Sequence, residues 1–111
     1  MKIRDIHINV VGVTFKNEDG TSRQKILETV NNNDKLILCR EPNNMYDINA
    51  IMVLTQDGQQ IGYIGKQYAE ILAPMMDSGR TFTAEVDDTG THKPKNTKKP
   101  IRYCSITINE E

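Results

Sequence analysis

Apolar positions in this chain alternate with polar ones over short runs, and only two stretches repeat at helical spacing. Ile6-x-Ile8-x-Val10 alternates and then passes into the continuous run Val10-Val11-Gly12-Val13, so residues 3–15 read as a strand. Gly12 inside it predicts a bulge, or a close approach by another backbone or a ligand. Glu18-Asp19-Gly20 is a turn, after which Thr21 or Ser22 is placed to cap a short helix over residues 23–30. Ile26, Leu27 and Val30 are its apolar stripe, and Asn31-Asn32-Asn33 ends it because Asn tolerates left-handed backbone angles.

Residues 35–40 are rich in apolar, strand-favouring side chains and read as a central strand. Residues 50–55 form the next, Asp57-Gly58 signals a hairpin, and residues 60–64 return, giving a three-stranded meander. Gly62 in the returning strand again invites close approach. Residues 66–77 show Ala69, Leu72, Ala73 and Met76 at i, i+3, i+4 and i+7, the mark of a helix, with Pro74 predicting a kink or a break into two short helices. Phe82-x-Ala84-x-Val86 reads as an edge-type strand with one wet face. Residues 87–99 are polar, hold Gly90 and Pro94 and show no period, which predicts a mobile basic loop. A last strand over 101–108 places Cys104, Ile106 and Ile108 on one face. The fold class is therefore mainly β with two short helices, arranged as a small closed or nearly closed barrel.

Between two of these apolar runs lies the densest stretch of turn formers, Arg40-Glu41-Pro42-Asn43-Asn44-Met45-Tyr46-Asp47-Ile48-Asn49-Ala50-Ile51-Met52-Val53. Asn and Asp side chains fold back onto backbone N–H groups and Pro42 presets one φ angle, so a rigid loop is expected. It presents an aromatic (Tyr46), a carboxylate (Asp47) and two carboxamides (Asn43, Asn44). Rigid polar loops between strands are common places for binding sites, although all these residues could equally serve only to build the turn.

That loop, followed by Gln60-Ile61-Gly62-Tyr63-Ile64 and Ala69-Glu70-Ile71-Leu72-Ala73, resembles the HIRAN domain over about residues 11–86. The family occurs at the N-terminus of SNF2-type DNA-repair remodellers and as short free-standing bacterial proteins. The resemblance implies an OB-like or SH3-like barrel and a domain similar to a reader of single-stranded DNA 3′ ends. By that likeness Tyr46 and Asp47, Phe15, and Lys66 surround a terminal nucleotide, with Tyr63 following Gly62. One position departs from the end-binding pattern: Thr14 stands where that version has an Arg just before the aromatic. Arg23, in the first helix, is the candidate to replace it in space.

Composition narrows the classes further. With 111 residues, 37% hydrophobic and 26% charged, the chain is expected to be one domain. No apolar run approaches the ~20 residues of a membrane span, and the N-terminal residues lack the apolar core of a signal peptide, so a cytoplasmic protein with no membrane partner is expected. Cys39 and Cys104 each lie in an apolar stretch and read as buried, reduced thiols, a disulfide between them being the alternative. Two His and no Cys-x-x-Cys give no support for zinc. The net charge of −1 argues against coating of duplex DNA. It is uneven, however: Lys93, Lys95, Lys98, Lys99 and Arg102 give residues 93–102 a charge of +5, leaving −6 for the rest.

For catalysis one would want a nucleophile beside a base, or paired acids in a cleft, and neither is visible. Asp87-Asp88 reads as a strand end rather than a metal site, and no cofactor is expected. Binding is better supported: barrels of this kind hold single strands by stacking bases on aromatics and tracking the backbone with Lys or Arg. Phe15, Tyr46 and Tyr63 are the candidate stackers, a place in the core being the competing reading for Phe15 and Tyr63. Lys66 could meet a phosphate together with the free N–H groups of its helix. Asn43, Asn44 and Asp47 complete the expected site, with Thr14, Arg23, Lys95, Lys98 and Lys99 as accessory positions. The expected function is a non-catalytic module binding single-stranded DNA and its 3′-hydroxyl end in repair or fork processing, alongside helicase or nuclease partner proteins. The alternative is an adaptor binding a peptide or a partner loop.

Overall fold

The computed structural model describes residues 1–96 and 98–111. Among them the elements run β1 (Ile6–Asn9), α1 (Arg23–Leu27), β2 (Lys35–Arg40), β3 (Ile51–Leu54), β4 (Gln60–Tyr63), α2 (Lys66–Asp77), β5 (Phe82–His92) and β6 (Ile101–Glu110). The strands form one sheet in the order β1-β6-β5-β2-β3-β4, antiparallel throughout, with β2-β3-β4 as the expected meander. Alternation explains the inside of the curl. Leu36, Ile51, Val53, Ile61, Ala84, Val86, Cys104, Ile106 and Ile108 point inward and are buried, joined by Ile26, Leu27 and Val30 beside α1 and by Ala69, Leu72 and Ala73 of α2. Burial pushes the Cys104 thiol up to about 12, so it is an unreactive core group. Cys39 is free as well but only half-buried, because alternation turns it away from the core side taken by Leu36.

The sheet is curled far enough for its two edges to touch. Val11, just past β1, and Tyr63, at the end of β4, exchange two backbone hydrogen bonds of 2.9 Å each. Gly62 is what permits this. A Cβ there would lie 2.4 Å from the Val11 carbonyl oxygen and 2.7 Å from Val10 Cγ1, distances no side chain tolerates. The close approach expected at Gly62 is thus another backbone, and the result is a nearly closed barrel.

The structure corrects the sequence reading at several elements. β1 spans only Ile6–Asn9, because the chain takes positive φ at Asp5 (54°) and Gly12 (72°), which a strand cannot continue through. α1 ends at Leu27, although Val30 is buried as expected. α2 runs unbroken from Lys66 to Asp77 through Pro74. A proline removes one hydrogen bond, and here it falls at the start of the last turn, whose end is secured by Ser78 N–H donating to the Pro74 oxygen at 3.1 Å.

β5 is neither short nor an edge: it pairs with β6 and β2 and continues to His92, past a bulge between Val86 and Asp88. Half of the expected loop over 87–99 is therefore strand. The bulge ends the alternation, and beyond it Thr89–His92 form a hairpin arm with no residue buried, so no period was there to read. Pairing with β6 holds this arm, and side chains add to it: Thr89 Oγ1 donates to the Tyr103 oxygen (2.9 Å) and Tyr103 O–H to Asp88 Oδ2 (2.7 Å). Thr97 lies outside the described residues.

One ion pair ties both ends of the chain together. Arg80 donates from Nε and Nη2 to the two oxygens of Glu110 (2.8 and 2.6 Å), and Glu110 Oε1 also accepts Ile3 N–H at 3.0 Å. The Arg80 guanidinium, aided by the Ile3 N–H, holds the Glu110 carboxyl at about 2 instead of 4.5. A depressed carboxylate stabilises the fold above its unfolded value and loses that contribution on protonation. Stability should therefore fall as pH drops from about 4.5 towards 2, and Glu110→Gln should flatten this limb in acid-unfolding curves. At the closure, Gly62→Ala should cost at least about 2 kcal/mol in denaturant unfolding, with faster amide exchange at Val11 and Tyr63. A variant of wild-type stability would show that the edges need not meet.

Candidate functional site

The loop after β2 is held from both ends. At its base Arg40 donates from Nη1 to the Ala50 oxygen (2.6 Å) and from Nη2 to the Ile48 oxygen (2.8 Å). Its Nε and Nη2 reach the Asp77 carboxylate at the end of α2 (2.9 and 3.1 Å). Hydrogen bonding to Arg40 lowers the Asp77 pKa, and the same bond raises that of Arg40. Glu41 N–H donates to the Ala50 oxygen and Ala50 N–H to the Asp47 oxygen, closing the loop neck. At the tip, Asn44 Oδ1 accepts N–H bonds from Tyr46 (2.8 Å) and Asp47 (2.9 Å), and Asp47 Oδ1 accepts Asn49 N–H at 2.8 Å. These are the side-chain-to-backbone bonds expected of Asn and Asp in a rigid loop.

Across from the loop, the barrel closure brings up the other wall. The turn after Val11 carries Phe15, and Arg23 of α1 lies beneath it. Arg23 is only 7% exposed: Nη1 donates to the Gly12 oxygen (2.8 Å), Nε to Asn17 Oδ1 (2.7 Å), and the guanidinium sits over the Tyr63 ring, 5.3 Å from its centroid. Between the walls is a cleft of about 580 Å³, whose lining includes Phe15, Arg23, Glu41, Asn44, Tyr46 and Tyr63. Glu41 forms part of its floor, accepting Tyr63 O–H at 2.8 Å and an Asn44 Nδ2–H, both on Oε1. Partial burial, chiefly, raises the Tyr63 pKa, with the neighbouring Glu41 adding to it. Beyond Arg23, Glu41 and Tyr63 the cleft adjoins a second hollow of about 530 Å³ that reaches Lys16 and Gln59.

The expected residues do not all come together. Phe15, Asn43, Asn44, Tyr46 and Tyr63 meet in the cleft, joined by Arg23. Phe15 (67% exposed) and Tyr46 (94%) are surface groups, not core, whereas Tyr63 is half-buried and serves both packing and cleft. Asn44 lines the cleft with its carboxamide already committed to the loop and to Glu41. Asp47 stands beside Tyr46 outside the cleft lining, one oxygen spent on the turn.

Lys66 is exposed at the first turn of α2 and lines a separate hollow of about 280 Å³ with Val11 and Tyr68. Thr14 is exposed in the turn before Phe15, Lys95, Lys98 and Lys99 are exposed in the β5–β6 connection, and none of the four lines the cleft. Sequence reasoning passed over Glu41 and Arg40. Their signal was present, a charged pair at the mouth of an Asn-rich loop, but nothing local says which partner either would find. Among the described residues there is no group of His, Cys, Asp and Glu able to hold a metal ion, and no helix is long and apolar enough to cross a membrane.

Comparison with known proteins agrees with this architecture. The HIRAN domain family model matches residues 3–106, and the chain belongs to that family. The crystal structure of the HIRAN domain of human HLTF is 27% identical, with a TM-score of 0.64 over 99% of this chain and 79% of that one. The NMR structure of the HLTF HIRAN domain in its DNA-bound conformation is also 27% identical, with a TM-score of 0.58 over 98% of this chain and 77% of the other. The helicase-like transcription factor of Mus musculus is 49% identical over 82 residues, 74% of this chain but 8% of that protein. Curated relatives are thus far longer, the matched part being 5% to 9% of their length.

The loop's rigidity should depend on the shape of Arg40 and not only on its charge. Arg40→Lys keeps the cation but cannot make the forked contacts to Ile48, Ala50 and Asp77 together. We expect it to cost about 1–3 kcal/mol and to speed amide exchange at Asn49 and Ala50, with β5 and β6 unaffected.

Proposed function

We propose that the domain is a non-catalytic nucleic-acid-binding module that takes a base of single-stranded DNA, at its 3′-hydroxyl end, into the cleft between Phe15 and the loop 41–50. The observation that carries this reading is the meeting of two exposed aromatics, Phe15 and Tyr46, with Tyr63 and the Arg23 guanidinium around one cleft. Exposed rings have no role in a core, and bases stack on such surfaces with little regard to sequence. The DNA-bound conformation of the HLTF HIRAN domain, which shares this fold, supports the same class of ligand. Arg23 supplies a guanidinium at the cleft although Thr14 carries none. Lys66 and the first N–H groups of α2, which has no acidic residue in its first turn, are suited to the adjoining phosphate. Asp47 retains one oxygen for a terminal hydroxyl. The lysines of the β5–β6 connection add general attraction.

A reducing, cytoplasmic setting fits the two free thiols, and partners of helicase or nuclease type would supply the enzymatic steps this domain lacks. Met45 (91% exposed) and Ile48 (73%) beside Tyr46 favour a second reading, a groove for a peptide or a partner loop. Anisotropy titration separates the two. Single-strand binding should weaken with salt by roughly 0.7 log units per decade for each phosphate contact, whereas an apolar peptide should respond little. Tyr46→Ala should cost about 1–3 kcal/mol of single-strand affinity with no loss of stability. A 3′-hydroxyl should be preferred over a 3′-phosphate by about tenfold, through a charge-assisted bond to Asp47 that Asp47→Asn removes. Equal affinity for both ends would sink the end-reading role.

A further inference from the structure

A carboxylate is an unusual floor for a site that holds a polyanion, and the bonds around Glu41 say what it is suited to meet. Backbone N–H groups of Tyr46 and Asp47 both donate to Asn44 Oδ1, which leaves the Asn44 amide nitrogen turned towards Glu41 as a donor. Tyr63 O–H donates to the same oxygen, Oε1. Glu41 Oε2 has no partner among the described residues. No buried side-chain oxygen among the described residues lacks one, so Oε2 is reachable from solvent. Glu41 lines both the cleft and the second hollow, so an accessible Oε2 belongs to the lining of the groove they form. The groove therefore offers a fixed, acceptor-only oxygen beside stacking aromatics.

From this, and resting on the nucleic-acid reading above, we propose that Glu41 makes the cleft selective for bases that carry an exocyclic amino group over thymine. An amino group donates to Oε2 directly, as cytosine N4 does to acidic side chains elsewhere. Thymine places a carbonyl oxygen at that position, and its one donor, N3–H, is flanked by two carbonyls that would be driven against the same carboxylate. Substitution by glutamine reverses the logic. Tyr63 O–H and the Asn44 amide both donate, so they hold the carbonyl of a new amide in the place of Oε1. Its NH₂ then occupies the place of Oε2, and the groove presents a donor instead of an acceptor.

The test compares short homopolymers of 5-methylcytidylate and thymidylate above neutral pH, binding to the full chain and to Glu41→Gln. These bases share ring and methyl group and differ only in exchanging an amino group and ring nitrogen for a carbonyl and N–H. The wild-type protein should bind 5-methylcytidylate at least about fivefold more tightly, and Glu41→Gln should reverse or abolish the difference. Equal wild-type affinity for the two, or a preference that survives Glu41→Gln, overturns the selectivity while leaving single-strand binding in place. Binding of neither homopolymer overturns the nucleic-acid reading and the selectivity with it.

Discussion

Two hydrogen bonds between Val11 and Tyr63 join the edges of the sheet, and they exist only because residue 62 has no Cβ. A sheet that turns through six strands still has two edges unless something brings them together. Here the contact is a single residue pair, and its position decides where a ligand can go. Val10 still donates to Cys104 of β6, Val11 pairs with Tyr63 of β4, and the positive φ of Gly12 then starts the turn that carries Phe15. Closing at Tyr63 fixes that ring between Arg23 and Glu41. One wall of the cleft is thus a by-product of barrel closure.

The other wall is independent of closure and is built by the loop itself. Arg40 fastens the neck to α2, while Asn44 and Asp47 organise the tip, so the loop's polar side chains are mostly consumed in holding its shape. That division explains why Tyr46 is left almost wholly exposed. A chain that spends its carboxamides on its own backbone can present an aromatic ring with little conformational freedom left to lose on binding.

Much of this was legible in the sequence, for physical reasons that differ by element. Period-two alternation found the buried faces of β5 before its bulge and of β6, because strand geometry enforces it wherever one face is dry. Asp57-Gly58 and the loop 41–50 were legible because turn chemistry is local. The Gly62 approach was readable as a demand for space, although not for whose backbone would fill it. What failed was long-range or lay outside the core. β5 continues past its bulge with both faces wet, and pairing to β6 rather than apolar burial holds it there. The lining of the candidate cleft was half legible in the same sense. Phe15, Tyr46 and Tyr63 declare themselves by residue type, whereas Glu41 acquires its role only when Asn44 and Tyr63, 22 residues apart from it in the latter case, converge on one oxygen.

Charge arranges the remaining geometry. Inside the cleft Glu18 and Glu41 outnumber Arg23, and Arg23 is half spent on Gly12 and Asn17. A phosphate has no favourable place on such a floor, because like charges repel most where water is scarce. The cations that could meet phosphates stand outside its lining: Lys16 in the adjoining hollow, Lys66 at the start of α2, and the lysines of the β5–β6 connection. A strand bound here would have to put its base inward and its backbone outward, the reverse of a protein that grips duplex DNA by its phosphates. That polarity follows from the acid at position 41 as much as from the aromatics, and it reconciles a net charge of −1 with a nucleic-acid ligand.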